Sequence, residues 1–299
     1  MEFISKIYNY FTSDVETKSY DDLSNELKTV MISGSIYNGG RTEITKTIGR
    51  NLQIYTCMSV GDIFSKNSEK SQITAKNVQF GCVMAGNGKI LNLLIDGNTL
   101  QSRLSLFTRN IAIKYENIIS KINGIHSQVN VDHKNKFGAI SLKYISPSFP
   151  LNTNVFVMNY VKNFYKKLYF GFENILTDVT GKKELGISVI GRYEGKNHIS
   201  SLSVQQFTSF CFSHVRKFNE IFKFANEIHF SPFTNNFYSS IGIRLDTYKS
   251  IVKSEINTNL KLALQIEKKL FEGMIFNIGT EVDLLKNSNI FGFGISYEC

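Results

Sequence analysis

From about residue 33 to its end, the chain repeats one pattern: short runs of alternating apolar and polar residues, separated by turn residues. In residues 260–267, Leu260, Leu262, Leu264 and Ile266 form one apolar face, while Lys261, Gln265 and Glu267 fall on the other. Met274, Phe276, Ile278, Thr280 and Val282 alternate against Asn277, Gly279, Glu281 and Asp283, and residues 291–299 form a third such run. Similar runs lie at 51–60, 185–192 and 237–246. Strand side chains alternate with period two, so each run predicts a strand with one greasy and one wet face. In a barrel spanning lipid, the greasy face meets acyl chains and the wet face lines the lumen.

Turn chemistry supports hairpins. Asn87-Gly88 separates two apolar runs, a type I′ signal, and Gly49-Arg50-Asn51 and Asp96-Gly97-Asn98 end others. A membrane strand of about 9–11 residues with a turn of about 2–5 takes roughly 14 residues, so 33–299 holds about nineteen strands. Residues 1–32 differ. Ser19-Tyr20-Asp21-Asp22 resembles a capping box, and Leu23, Leu27, Val30 and Met31 follow at helical spacing. Phe3, Ile4, Ile7, Tyr8 and Phe11 before it suit a weaker amphipathic turn or a loose tail. The expected organisation is therefore a tail and short amphipathic helix over 1–32 and one all-β transmembrane barrel over 33–299.

Composition narrows the reading. The 24 Phe, 14 Tyr and 21 Gly with only 3 Pro suit long paired strands. Mean hydropathy of −0.12 and the lack of a long apolar run exclude helical membrane spans, which need about 20 residues; barrels need apolar side chains only at alternate positions. The net charge of +9 is scattered without a basic block, which argues against a nucleic-acid partner and leaves the lipid bilayer as the expected one. The first residues lack a secretory signal, so the barrel is expected to reach its membrane from the cytosol. Cys57, Cys82, Cys211 and Cys299 form no C-x-x-C and read as unpaired thiols in a reducing compartment.

Reaction chemistry is not evident, and no enzyme activity or cofactor is expected. His126 and His133 are seven apart across an expected turn, and His198, His214 and His229 show no metal-ligand spacing. Asp132-His133 has no nucleophile elbow, and Gly86-Asn87-Gly88-Lys89 lacks the spacing of a phosphate loop. Tyr144, Phe149, Tyr160, Tyr165 and Phe170 suit either a soluble sandwich core or an interfacial girdle; the strand count favours the girdle.

Four stretches carry a resemblance to a known family. Ser19-Tyr20-Asp21-Asp22 opens the helix, and residues 46–54 form a hairpin ending in an apolar-Gln-apolar triplet. Ile266-Glu267-Lys268-Lys269-Leu270 and the terminal Phe291-Gly292-Phe293-Gly294-Ile295 complete the set. In this order they resemble the channel-forming β-barrel subunit of the translocase of the outer mitochondrial membrane, strongly at the two ends and by strand pattern alone over 70–235. The terminal strand is also similar to the sorting signal of mitochondrial barrels, with Gly292, Phe293, Ile295 and Tyr297 as its positions; Ile290 departs from the signal's polar first residue.

The resemblance implies a nineteen-stranded antiparallel barrel, its first and last strands parallel, with the helix of Ser19, Asp22, Leu23 and Leu27 inside the lumen. It implies a channel for precursor proteins with basic amphipathic presequences, in the outer membrane of a mitochondrion or related organelle. The implied partners are small single-helix subunits and import receptors, with barrels associating as homo-oligomers. Glu194, Asp246, Glu255, Glu267, Glu281 and Asp283 project to the expected lumen by parity, together with Arg192, Arg244, Lys253 and Lys261. Glu267, Glu281 and Asp283 share one wet face of two adjacent strands, so their fields are expected to add. A metabolite pore of the voltage-dependent anion channel type, which the +9 charge suits, and a soluble β-rich binding protein are the alternatives.

Overall fold

A computed structural model describes residues 18–32, 36, 38–61, 76–121, 124–135, 138–146, 153–165, 167–179 and 182–299. The expected N-terminal tail and Phe149 lie outside these residues. Nineteen strands are present among them. The first nine are β1 (Gly39–Ile48), β2 (Leu52–Val60), β3 (Lys76–Gly86), β4 (Lys89–Asp96), β5 (Thr99–Phe107), β6 (Ile111–Ser120), β7 (Gly124–Asn135), β8 (Gly138–Ser146) and β9 (Thr153–Tyr165). Then follow β10 (Leu168–Val179), β11 (Lys182–Glu194), β12 (His198–Gln205), β13 (Ser209–Lys217) and β14 (Phe222–Ser231). The last five are β15 (Asn236–Asp246), β16 (Ser250–Asn257), β17 (Lys261–Phe271), β18 (Met274–Asp283) and β19 (Ser288–Glu298).

Each strand pairs antiparallel with its sequence neighbours, and β1 pairs with β19 in parallel, which closes the sheet. An odd count forces that parallel seam. Going round the ring, direction reverses at each hairpin, so the first and nineteenth strands run the same way. In lipid an unpaired strand edge would leave backbone N–H and C=O groups without partners. The seam runs from Gly39↔Gly292 to Thr45↔Glu298, and the Cys299 amide extends it by donating to the Thr45 carbonyl at 2.9 Å. On the outer surface the Phe293 ring lies over Gly40, where an added Cβ would come within 3.0 Å of it.

The alternation seen in the sequence sorts side chains to the two sides of the wall. Leu262, Leu264, Phe291, Phe293 and Tyr297 are exposed on the outside, while Gln265, Glu255 and Asp283 are buried within. Tyr144, Tyr160 and Phe170 are also exposed on the outer surface, as a girdle would be, although Tyr160 sits well inside β9 rather than at its end. The β3–β4 hairpin turns on Asn87 and Gly88, both at positive φ (46° and 74°), the type I′ geometry their residue types favour.

Three expectations are corrected. Leu260 is not a strand residue: it takes φ 53° in the turn before β17. His126 and His133 are not separated by a turn; both lie in β7, on opposite faces by parity. The expected continuous helix is a 3-10 turn, Asp21–Leu23, followed by a separate α-helix, α1 (Asn25–Val30). The break falls at Ser24, at φ −108° and ψ −7°, whose hydroxyl donates back to the Asp21 carbonyl (3.4 Å), a side-chain bond that competes with the helical ladder; the Asp22 carboxylate accepts the Ser19 amide (3.0 Å) and hydroxyl (2.6 Å) at the start of the turn. Among the described residues no helix is long and apolar enough to cross a membrane.

The seam makes a prediction. Ile295 pairs with Thr42 across it and lies on the same face as Phe293 and Tyr297. Ile295→Asp puts a carboxylate into lipid at a cost on the order of 2 kcal/mol, at the pairing that closes the ring. Import into isolated organelles followed by native electrophoresis is expected to show several-fold less assembled barrel, and none after deletion of residues 289–299. Wild-type assembly of both variants would contradict the closure described here.

Candidate functional site

A barrel of this strand number encloses an aqueous lumen, since sixteen to eighteen strands already leave a channel. Its inner wall is polar. On β5–β8, Arg103 pairs with Glu116 at 2.7 Å, Lys114 with Asp132 at 2.9 Å, and Ser141 donates to Asp132 at 2.6 Å. Opposite charges on adjacent strands hold the register and compensate one another.

Against this wall lies the segment before β1. It docks first where β9, β10 and β11 meet: Leu23 packs in a buried cluster with Val161, Tyr169 and Ile190, flanked by Tyr20. Further on, Val30 and Met31 form a second cluster with Val215 and Ala225, with Leu27 beside it. Two glycines open room for it. A Cβ on Gly171 would lie 2.8 Å from Tyr20 and 3.0 Å from Leu23, and one on Gly242 would lie 3.0 Å from Met31.

Polar contacts fix the same segment. Arg192, only 1% exposed, donates from Nη1 to the carbonyls of Asp22 (2.8 Å) and Leu23 (3.0 Å), and its Nη2 pairs with Glu194 at 2.5 Å. Glu194 also pairs with Lys18. Arg244 donates to the Thr29 carbonyl at 2.7 Å, where a cation suits the end of a helix. The Glu255 carboxylate accepts the Ile32 amide at 2.9 Å. Burial disfavours ionisation of Asp22, but the Ser19 hydroxyl and amide and the Lys134 ammonium outweigh it, holding its carboxyl below the ordinary carboxylate range. From Lys18 to Ile32 the segment passes along the wall from β11 to β16. It begins at the rim where odd-numbered strands end and leads to Gly39, at the rim where they start. The lumen is therefore crossed from one rim to the other.

All six acids singled out in the sequence lie on the lumenal face, yet they do not form one track. Glu194 and Asp246 close β11 and β15 at one rim, while Glu281 and Asp283 lie towards the other. Each has a partner. Asp246 pairs with Lys223 and Arg244, both at 2.6 Å, and Glu267 pairs with Lys253 at 3.9 Å. Lys261 serves both Glu281 (3.3 Å) and Asp283 (3.6 Å). Glu267 stands opposite Asn277, four residues along β18 from Glu281, roughly 13 Å at strand rise. That exceeds the screening length of about 8–10 Å at ordinary ionic strength. The expected triple cluster is thus a carboxylate pair plus a separate Glu267. That Arg192, Arg244 and Glu255 anchor the helix was not evident in the sequence, where they are three charged residues among several on the lumenal parity.

The match to known proteins covers nearly the whole barrel: residues 16–294 fit the eukaryotic porin family model. The chain belongs to the eukaryotic porin family. It is similar to the "Probable mitochondrial import receptor subunit TOM40-2" of Arabidopsis thaliana, at 23% identity over 288 residues, covering 93% of this chain and 89% of that one. A solved structure of a mutant porin from Rh. blastica aligns over 85% of this chain and 95% of its own at 8% identity, with a TM-score of 0.42. The protein is a porin-type channel, a β-barrel of the mitochondrial outer membrane.

The anchors predict how firmly the helix is held. With the four native cysteines replaced by serine, Val30→Cys places a thiol at a position that is 0% exposed, and it is expected to react slowly with a water-soluble maleimide. Adding Arg244→Ala removes a charge-assisted hydrogen bond of about 1.5 kcal/mol, so labelling is expected to accelerate about tenfold. An unchanged rate would mean that Arg244 does not hold the helix.

Proposed function

We propose that this barrel is the protein-conducting channel of an outer-membrane translocase, carrying precursor proteins with basic amphipathic presequences into the organelle. What supports this reading most is the character of the lumen. Its helix lies flat on one part of the wall, and its acids are spread along the height of the barrel, with Glu194, Asp246, Glu267, Glu281 and Asp283 each sharing a cation. A polypeptide in transit must be held weakly at many points, because tight binding at one would arrest it. Compensated carboxylates supply that kind of contact: an arriving basic side chain competes with a resident lysine or arginine instead of meeting a bare charge. The similarity to a protein named as an import receptor subunit supports the same reading. It extends to small single-helix subunits, import receptors and further barrels as partners, with 33–299 as the channel domain and 1–32 as tail and lumenal helix.

Glu281 and Asp283, which share Lys261, are proposed as one cation-attracting contact and Glu267 as another. Gly292, Phe293, Ile295 and Tyr297 are proposed as the insertion signal. Replacing the three acids as Glu267→Gln, Glu281→Gln and Asp283→Asn is expected to lower cation selectivity in planar bilayers. It is also expected to weaken current block by a basic presequence peptide several-fold, most clearly at low salt, where screening is least. Unchanged selectivity and block in fully assembled variant pores would remove these acids from the conducting function. A strong anion preference of the wild-type pore would favour the metabolite-pore reading that the net charge of +9 suits.

A further inference from the structure

Cys211, Glu227 and His229 show no ligand spacing along the chain, but the barrel brings them together. Cys211 of β13 stands directly across from His229 of β14. Glu227 lies two residues before His229, hence on the same lumenal face. Their donor atoms converge: Cys211 Sγ is 3.6 Å from Glu227 Oε1 and 3.7 Å from His229 Nε2, and Nε2 is 2.8 Å from Oε1. All three side chains are half-buried and open to the lumen. On the next strand, Tyr238 stands across from His229 with ring centroids 6.0 Å apart, which limits where the imidazole can turn. The group lies near the rim at which odd-numbered strands start, since Cys211 is the third residue of β13.

We infer that these three side chains form a lumenal site for a thiophilic divalent transition-metal ion, zinc being the natural occupant. The distances carry the inference. Around a tetrahedral zinc with bonds of about 2.3 Å to sulfur and 2.0–2.1 Å to nitrogen and oxygen, ligand atoms lie roughly 3.4–3.6 Å apart. The two sulfur contacts already have that length, and the Nε2–Oε1 pair needs to open by only about half an ångström from its hydrogen-bonded separation. A nucleophilic triad is the competing use of Cys, His and Glu, and the geometry argues against it. In a triad the imidazole faces nucleophile and carboxylate through different nitrogens, whereas here Nε2 faces both. A thiolate among the ligands selects zinc-like ions over magnesium or calcium, which prefer oxygen donors.

Three protein ligands leave a fourth position open to lumenal water. On binding, the Cys211 thiol gives up its proton, and so does any imidazolium, both to solvent. The thiolate and carboxylate then balance the ion's two charges. The occupied site would tie β13 to β14 and carry no net charge of its own.

Cobalt(II) tests this in the detergent-purified full chain under a thiol-free reductant, because a cobalt–thiolate bond gives a near-ultraviolet charge-transfer band. The expected result is a band saturating at one cobalt per chain and erased by equimolar zinc. It should persist in the Cys57→Ser, Cys82→Ser, Cys299→Ser triple variant and vanish in Cys211→Ser. His229→Gln keeps every thiol and is expected to weaken zinc binding at least tenfold by calorimetry, which covers the case of a Cys211 variant that does not fold. Absence of the band in the wild type, its survival in Cys211→Ser, its loss in the triple variant, or unchanged zinc affinity in His229→Gln would each overturn the site.

Discussion

Every backbone N–H and C=O within the bilayer needs a partner from the protein itself, and the other features of this molecule follow from how the wall meets that demand. A sheet can satisfy it only by closing. With nineteen strands it closes through the parallel pairing of β1 and β19, so β1 begins at one rim and β19 ends at the other. The segment before β1 then runs through the lumen, and the wall is shaped to receive it. Gly171 and Gly242 leave hollows, Arg192 and Arg244 donate to its carbonyls, and Glu255 accepts the Ile32 amide.

Closure also separates two chemistries by one residue. Along β17, Leu262 and Leu264 face outwards and Lys261 and Gln265 inwards. The outer face needs only apolar character, whereas the inner face must remain wet with its charges compensated. Ion pairing between neighbouring strands meets that second requirement, and the same pairs support the register, as Lys261 does with Glu281 and Asp283.

Much of this was legible in the sequence because a barrel strand writes its own two faces as alternation. The runs of β2, β17, β18 and β19, the Asn87-Gly88 turn and the strand number could all be read before the fold was known. What could not be read depends on which strands become neighbours. Arg192 meets Leu23 across a separation of 169 residues, and nothing local distinguishes it from any other lumenal arginine. Glu255 read as one more lumenal acid, although it holds the Ile32 amide. Cys211 and His229 are 18 residues apart, a spacing that acquires meaning only once β13 and β14 are in register. Leu260 misled for the opposite reason: its apolar side chain continued the alternation while its backbone had already turned.

The proposed passage of polypeptides along the charge-compensated inner face is tested most directly by photo-crosslinking an arrested precursor. A photoreactive residue is placed in turn at Lys253, Glu267 and Glu281 on the lumenal side and at Leu264 and Phe293 on the outer side, in the assembled complex. Passage through the lumen gives adducts to the precursor at the three lumenal positions and none at the two outer ones. Equal crosslinking on both faces, or none at the lumenal positions while small ions still pass, would contradict it.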